Sequence, residues 1–203
     1  MITDTVGNRG DQLQRLEWGG KSDGEPALLK ETRTLRFFAL DNGTRGIDLV
    51  VALTPAADQP VTLADTKEAG LCAVRVHQEI GDNRKKAKLL NSAGKTGEKD
   101  IWGKPANWCD VYGQINGKPY GVAIFDHPSN PRHPTTWHTR EYGLHSANCF
   151  GLHDFDKRNP EGAGKMTLKP GETTTFKYRI LFHTGDPDAA KLDQQYKEWA
   201  GAK

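Results

Sequence analysis

The sequence predicts a mainly β protein: an antiparallel β-sandwich with one short C-terminal helix. Three observations carry this reading. Asn-Gly dipeptides sit between apolar runs, several segments alternate apolar and polar residues with a period of two, and helical spacing occurs only near the end. The composition agrees, with 22 glycines and 11 prolines in 203 residues, which suits short strands joined by turns. A chain of this length fits one domain, residues 1–203, or the C-terminal portion of a longer protein.

Taken in order, "TRTLRFFAL-DNG-TRGIDLVVALT" reads as a hairpin turning at Asn42-Gly43. In its second strand Ile47, Leu49, Val51 and Leu53 share one face against Asp48, Val50, Ala52 and Thr54. "LCAVRVHQE" places Cys72, Val74 and Val76 opposite Arg75, His77 and Glu79, the latter set reading as a solvent-facing side. Residues 89–107 and 158–165 are polar and glycine-rich and read as loops, the first long enough to be functional. "NWCDVYGQI-NG-KPYGVAIFDH" is a second hairpin, at Asn116-Gly117. After Pro170-Gly171, Phe176, Tyr178, Ile180 and Phe182 alternate with Lys177, Arg179 and Leu181. Finally, Asp186 as N-cap and Pro187 at the first helical position open a stretch with Ala189, Leu192, Tyr196 and Trp199 at helical spacing. The total is about ten strands by the alternation pattern.

The formal charge is +2 and dispersed. Its only basic run, Arg84, Lys85, Lys86 and Lys88, reads as a solvated face, so no nucleic-acid partner is expected. Cys72, Cys109 and Cys149 are too few and too scattered for a disulfide framework or a thiolate zinc site, and read as small buried residues. No apolar run approaches the ~20 residues that span a bilayer, so no membrane partner is expected. The N-terminus lacks a basic start and an apolar core, which reads as cytoplasmic as given, or as periplasmic or secreted with a leader removed.

The chemistry concentrates in residues 124–155, which hold His127, His133, His138, His145 and His153, five of the seven histidines. Pro128, Pro131 and Pro134 end β pairing and stiffen the loop beyond the strand, which lowers the entropic cost of holding side chains in a site. In "TTWHTRE", His138 and Arg140 share a face about 7 Å apart. An imidazole that moves protons near neutral pH beside a fixed fork of donors suits an anionic or carbonyl oxygen. We expect His138 as general acid/base, His127 or His145 as a second proton-transfer group, and Arg140 as the polarising cation. Asn130, Arg132, His133 and Asn148 are expected to hold hydroxyls, with Trp102 and Trp137 as stacking surfaces of the kind carbohydrate sites use. No cofactor is expected. A divalent metal on His127, His138 and His145 is the alternative, which would make the protein an oxygenase or lyase. No Gly-x-Ser-x-Gly elbow or phosphate loop is present.

The stretches "LLNSAGKTGEKDIWGKPANWCDVYG" and "GVAIFDHPSNPRHPTTWHTREYGLHSANCFGLHDF" resemble the bacterial family labelled PmoA-like, over about residues 30–187. Asp126-His127-Pro128-Ser129-Asn130-Pro131, Trp137-His138 and Tyr142-Gly143 carry the resemblance. It implies a β-sandwich similar to galactose-mutarotase supersandwiches and a carbohydrate-linked role, with a small-molecule or oligosaccharide ligand. It does not imply methane oxidation, for which the chain lacks any spanning segment. Two departures stand out. The His-His-Arg-Gly-like motif of the family's N-terminal part is absent, and Cys149 stands where a proline precedes Phe150-Gly151. As an enzyme the protein would be a sugar-processing lyase, hydrolase or epimerase. Without chemistry it would be a carbohydrate-binding module.

Overall fold

Period-two alternation draws most strands into one large sheet. The computed structural model describes residues 2–6, 9–19, 25–40, 43–68, 70–82, 87–188 and 190–201. Eight strands, β1 (Ile2–Val6), β2 (Arg9–Trp18), β3 (Leu29–Ala39), β4 (Arg45–Pro55), β7 (Lys88–Asn91), β8 (Trp108–Ile115), β9 (Lys118–Asp126) and β12 (Thr174–Thr184), form an antiparallel sheet. Their order is β1-β2-β3-β4-β12-β9-β8-β7. Asn116 and Gly117 both take positive φ, 51° and 73°, as a two-residue turn between β8 and β9 requires. Asn42 of the other expected hairpin turn lies outside the described residues.

The two faces of this sheet are covered differently. On one face Leu49, Val51 and Leu53 of β4, Val122 and Ile124 of β9, and Phe176, Tyr178 and Ile180 of β12 meet a second layer. That layer consists of two ribbons, β6 (Cys72–Arg75) with β10 (Leu144–Ala147), and β5 (Val61–Leu63) with β11 (Met166–Leu168), plus the loops around them. Trp137, fully buried, wedges between the layers and donates its indole N–H to the Ala106 carbonyl at 3.0 Å. On the other face Trp108, Ala123, Phe125 and Leu181 pack under Leu192 and Tyr196 of helix α3 (Leu192–Gly201). Each fully buried apolar side chain contributes about 1.5–3 kcal/mol.

Three details depart from the sequence reading. Residues 89–107 are not one loop, because β7 and a one-turn helix, α1 (Glu98–Ile101), lie within or across them. A second one-turn helix, α2 (Leu152–Phe155), follows the histidine segment. The C-terminal helix begins at Leu192 rather than at Asp186, because Lys191 at φ 51° separates it from the turn that Asp186 and Pro187 start. Ala189, expected on the helix's apolar stripe, lies outside the described residues, as do Arg84, Lys85 and Lys86 of the basic run. Among the described residues no helix is long and apolar enough to cross a membrane.

Candidate functional site

Strand alternation and the layer arrangement divide the expected histidine site among three places. His145 on β10 points between the layers and is fully buried. Its Nε2–H donates to the Cys109 carbonyl at 3.0 Å, and its Nδ1 accepts from the Thr139 hydroxyl at 2.8 Å. The ring stacks on Trp137 with centroids 5.6 Å apart. Burial pushes its pKa down to about 3, so it stays neutral. Both nitrogens are committed, which leaves His145 neither a lone pair for a metal nor a proton to exchange with a ligand. The set His127, His138 and His145 therefore does not converge as metal ligands. Among the described residues no group of three or more His, Cys, Asp or Glu is placed to share an ion.

Several expected binders hold the loops instead. The buried Asp126 carboxylate accepts from Asn130 Nδ2 (2.7 Å), His133 Nδ1 (2.7 Å) and the Thr135 N–H (3.0 Å). Burial raises the Asp126 pKa, opposed by these donors. Asn130 also donates to the Lys177 carbonyl and accepts the Lys177 N–H, tying the proline-rich loop to β12. Arg132, at φ 60°, spends its guanidinium on the carbonyls of Cys149, Gly164 and Lys165 at 2.5–2.9 Å. Asn148, fully buried, donates to the carbonyls of Thr66 and Lys67 and accepts the Phe150 N–H. These residues shape the backbone around the site, and the groups named are spent on partners within the chain. His153 likewise donates to the Asn159 carbonyl at 2.7 Å.

His138 and Arg140 do share a face, the outer side of the second layer, because Thr139 between them turns inward to the buried His145. The His138 ring is nearly buried, and its Nδ1–H donates to the Lys67 carbonyl at 2.6 Å. That bond fixes the tautomer and leaves the Nε2 lone pair open, with no described residue bonded to it. Burial lowers its pKa, outweighing the Lys67 carbonyl and Glu68, and Arg140 adds to the lowering. Trp102 meets His138 edge-on at 6.4 Å and Phe155 at 5.2 Å. The Arg140 guanidinium lies 5.9 Å from the Trp102 ring and 5.5 Å from the Tyr142 ring.

Two donors in this cluster are buried without an acceptor: Trp102 Nε1–H and Arg140 Nε–H. Glu98 Oε1 lies only 2.8 Å from Arg140 Nε, but off the N–H axis, so the pair is an ion contact without an aligned hydrogen bond. Buried donors of this kind cost about 1–3 kcal/mol each when left unmade. The arrangement thus offers one proton acceptor, two unfilled donors and aromatic edges.

His127 stands elsewhere, on the opposite face of the large sheet beside α3. It meets Trp199 edge-on at 5.0 Å and lines a cleft with Asp48, Lys177 and Arg179. Sequence reasoning missed Phe155, Glu98 and the Lys67 carbonyl near His138, since they come from distant loops. The charged residues near His127 were legible only as the outward halves of alternating strands.

A family model described as a family of unknown function (DUF6807) matches residues 2–197. No curated protein matches the chain. Among solved structures, a GalM/aldose epimerase homologue from C. elegans is similar at 10% identity and a TM-score of 0.39, over 91% of this chain and 68% of that one.

Proposed function

The chain belongs to this family of unknown function, DUF6807, and from that premise we propose a carbohydrate-active protein that transfers a proton through His138. The observation that carries the reading is the open Nε2 of a neutral, tautomer-fixed imidazole beside two buried donors that lack acceptors. A sugar supplies what the cluster is missing. Its hydroxyl or carbonyl oxygens accept from Trp102 Nε1–H and Arg140, and its apolar ring face packs on the edges of Trp102 and Phe155.

In this reading Nε2 takes a proton from a hydroxyl, or from a carbon next to a carbonyl. The resulting imidazolium is held by the Lys67 carbonyl on Nδ1–H and by the nearby Glu68 carboxylate. Arg140 stabilises the negative charge left on oxygen. Returning the proton to the same or another atom completes a proton-transfer cycle without any further reactant. Asn148 is a positioning residue, because it holds the Lys67 carbonyl in place with a second bond of 2.9 Å. The resemblance to the PmoA-labelled proteins points to the same carbohydrate setting.

The experiment is a panel of aldoses, ketoses and uronates in D2O, followed by NMR for saturation transfer and for deuterium exchange or conversion. We expect one class to bind and to exchange, and His138→Gln to slow that exchange about 100-fold or more while binding changes little. Exchange unaffected by His138→Gln would overturn the role assigned to it. Binding without exchange in either protein would make the domain a binding module.

A further inference from the structure

We propose a second, separate ligand site on the opposite face of the large sheet: a cleft that selects a small organic carboxylate of monosaccharide size. The cleft has a volume of about 390 Å³ and is walled by Arg36, Asp48, His127, Lys177, Arg179 and Trp199. Small-molecule sites begin at about this size. The site is independent of His138, which lies on the outer side of the second layer.

Internal pairing leaves one positive charge of the cleft over. Asp48 is the cleft's only carboxylate among these residues, and Arg179 holds both its oxygens, at 2.6 and 2.8 Å. Arg36 makes the same two-point contact with Asp11, at 2.9 and 3.1 Å. The Lys177 ammonium has no carboxylate within ion-pair distance among the described residues, although its backbone is fixed on both sides by Asn130. Its charge therefore faces the cleft without a partner.

His127 adds a second donor. The Ser129 N–H donates to His127 Nδ1 at 3.1 Å, and the Ser129 hydroxyl lies 2.8 Å from the same atom. An Nδ1 that accepts places the proton of the neutral ring on Nε2. Burial and the Lys177 charge both oppose protonation, so the ring enters the site as a neutral donor. This is the reverse of His138, where Nδ1 donates and Nε2 accepts. Trp199, set over the Arg179 guanidinium at 5.5 Å and edge-on to His127, supplies an apolar wall. Unfilled donors and one free positive charge beside an indole fit a carboxylate on a carbon skeleton. They do not fit a neutral sugar, which also needs free acceptors.

The test is calorimetry at low ionic strength with D-glucuronate, with D-glucose as the neutral match and inorganic phosphate as the anion without a skeleton. We expect D-glucuronate to bind one to one, to lose affinity with added salt, and to weaken at least tenfold in Lys177→Gln. His127→Phe, which keeps an aromatic ring but removes both nitrogens, should weaken it as well. Bound D-glucuronate should move the ¹⁵N signals of the His127 ring and leave those of His138 in place, which separates a failure here from a failure at the other site. No binding of glucuronate, equal binding of glucose or phosphate, or full affinity in Lys177→Gln overturns the proposal.

Discussion

His145 provides a stability prediction whose size follows from its surroundings. The ring is wholly buried between the layers, with both nitrogens bonded and no carboxylate partner. Its pKa falls from 6.5 to about 3 because burial penalises the cation. Below the ordinary value the unfolded chain binds a proton that the folded chain refuses, so stability falls as pH falls. The contribution is complete above pH 6.5, declines by about 1.4 kcal/mol per pH unit below it, and is spent near pH 3. Between pH 7.5 and 5.0 the wild type should lose about 2 kcal/mol from this residue alone. His145→Leu removes the titration but leaves the Cys109 carbonyl without its donor, which costs about 1–3 kcal/mol at pH 7.5. Urea unfolding followed by tryptophan fluorescence at both pH values measures the two effects. The variant should start less stable and lose about 2 kcal/mol less on acidification. An equal acid loss in both proteins would mean that His145 titrates normally and does not sit in a dry core.

Other consequences can be checked together. Arg132→Ala removes the donors on three loop carbonyls and should cost about 2–4 kcal/mol in urea unfolding. Leu192→Ala, at the start of the docked helix, should cost about 2–5 kcal/mol and red-shift the emission of Trp199 as α3 loosens. The acid limb of any turnover through His138 should lie below the ordinary histidine range, because burial lowers that pKa. Activity should persist as pH rises and fail only when acid protonates Nε2. Native protein should resist thiol reagents at pH 8, since all three cysteines are buried and burial pushes the Cys149 thiol up to about 12. Reaction should follow unfolding.

The β architecture was readable because alternation and Asn-Gly turns are local signals. Leu49, Val51 and Leu53, or Phe176, Tyr178 and Ile180, declare a buried face without reference to the rest of the chain. The split of the second layer into two ribbons was not readable, because β6 meets β10 across about seventy residues of sequence. The site divided in the same way. His138 and Arg140 share a face by strand periodicity, and that pairing emerges intact around Trp102. The five-histidine cluster did not converge, since proximity along a kinked segment says nothing about which side of a layer each ring occupies. Asn130, Arg132 and Asn148 looked like ligand-binding groups because residues that pin irregular loops have the same chemistry. Besides the Asp126 carboxylate that Asn130 also holds, their acceptors are backbone carbonyls from residues 66, 67, 149, 164, 165 and 177, which no local pattern identifies.

The most direct measurement of the central claim is the tautomer of His138 by ¹⁵N NMR on histidine-labelled protein at pH 7, assigned with His138→Gln. The ring should be neutral with its proton on Nδ1, and its Nε2 signal should move when a sugar from the NMR panel binds. A ring protonated on Nε2, a charged ring at that pH, or an Nε2 indifferent to every ligand that binds would contradict it.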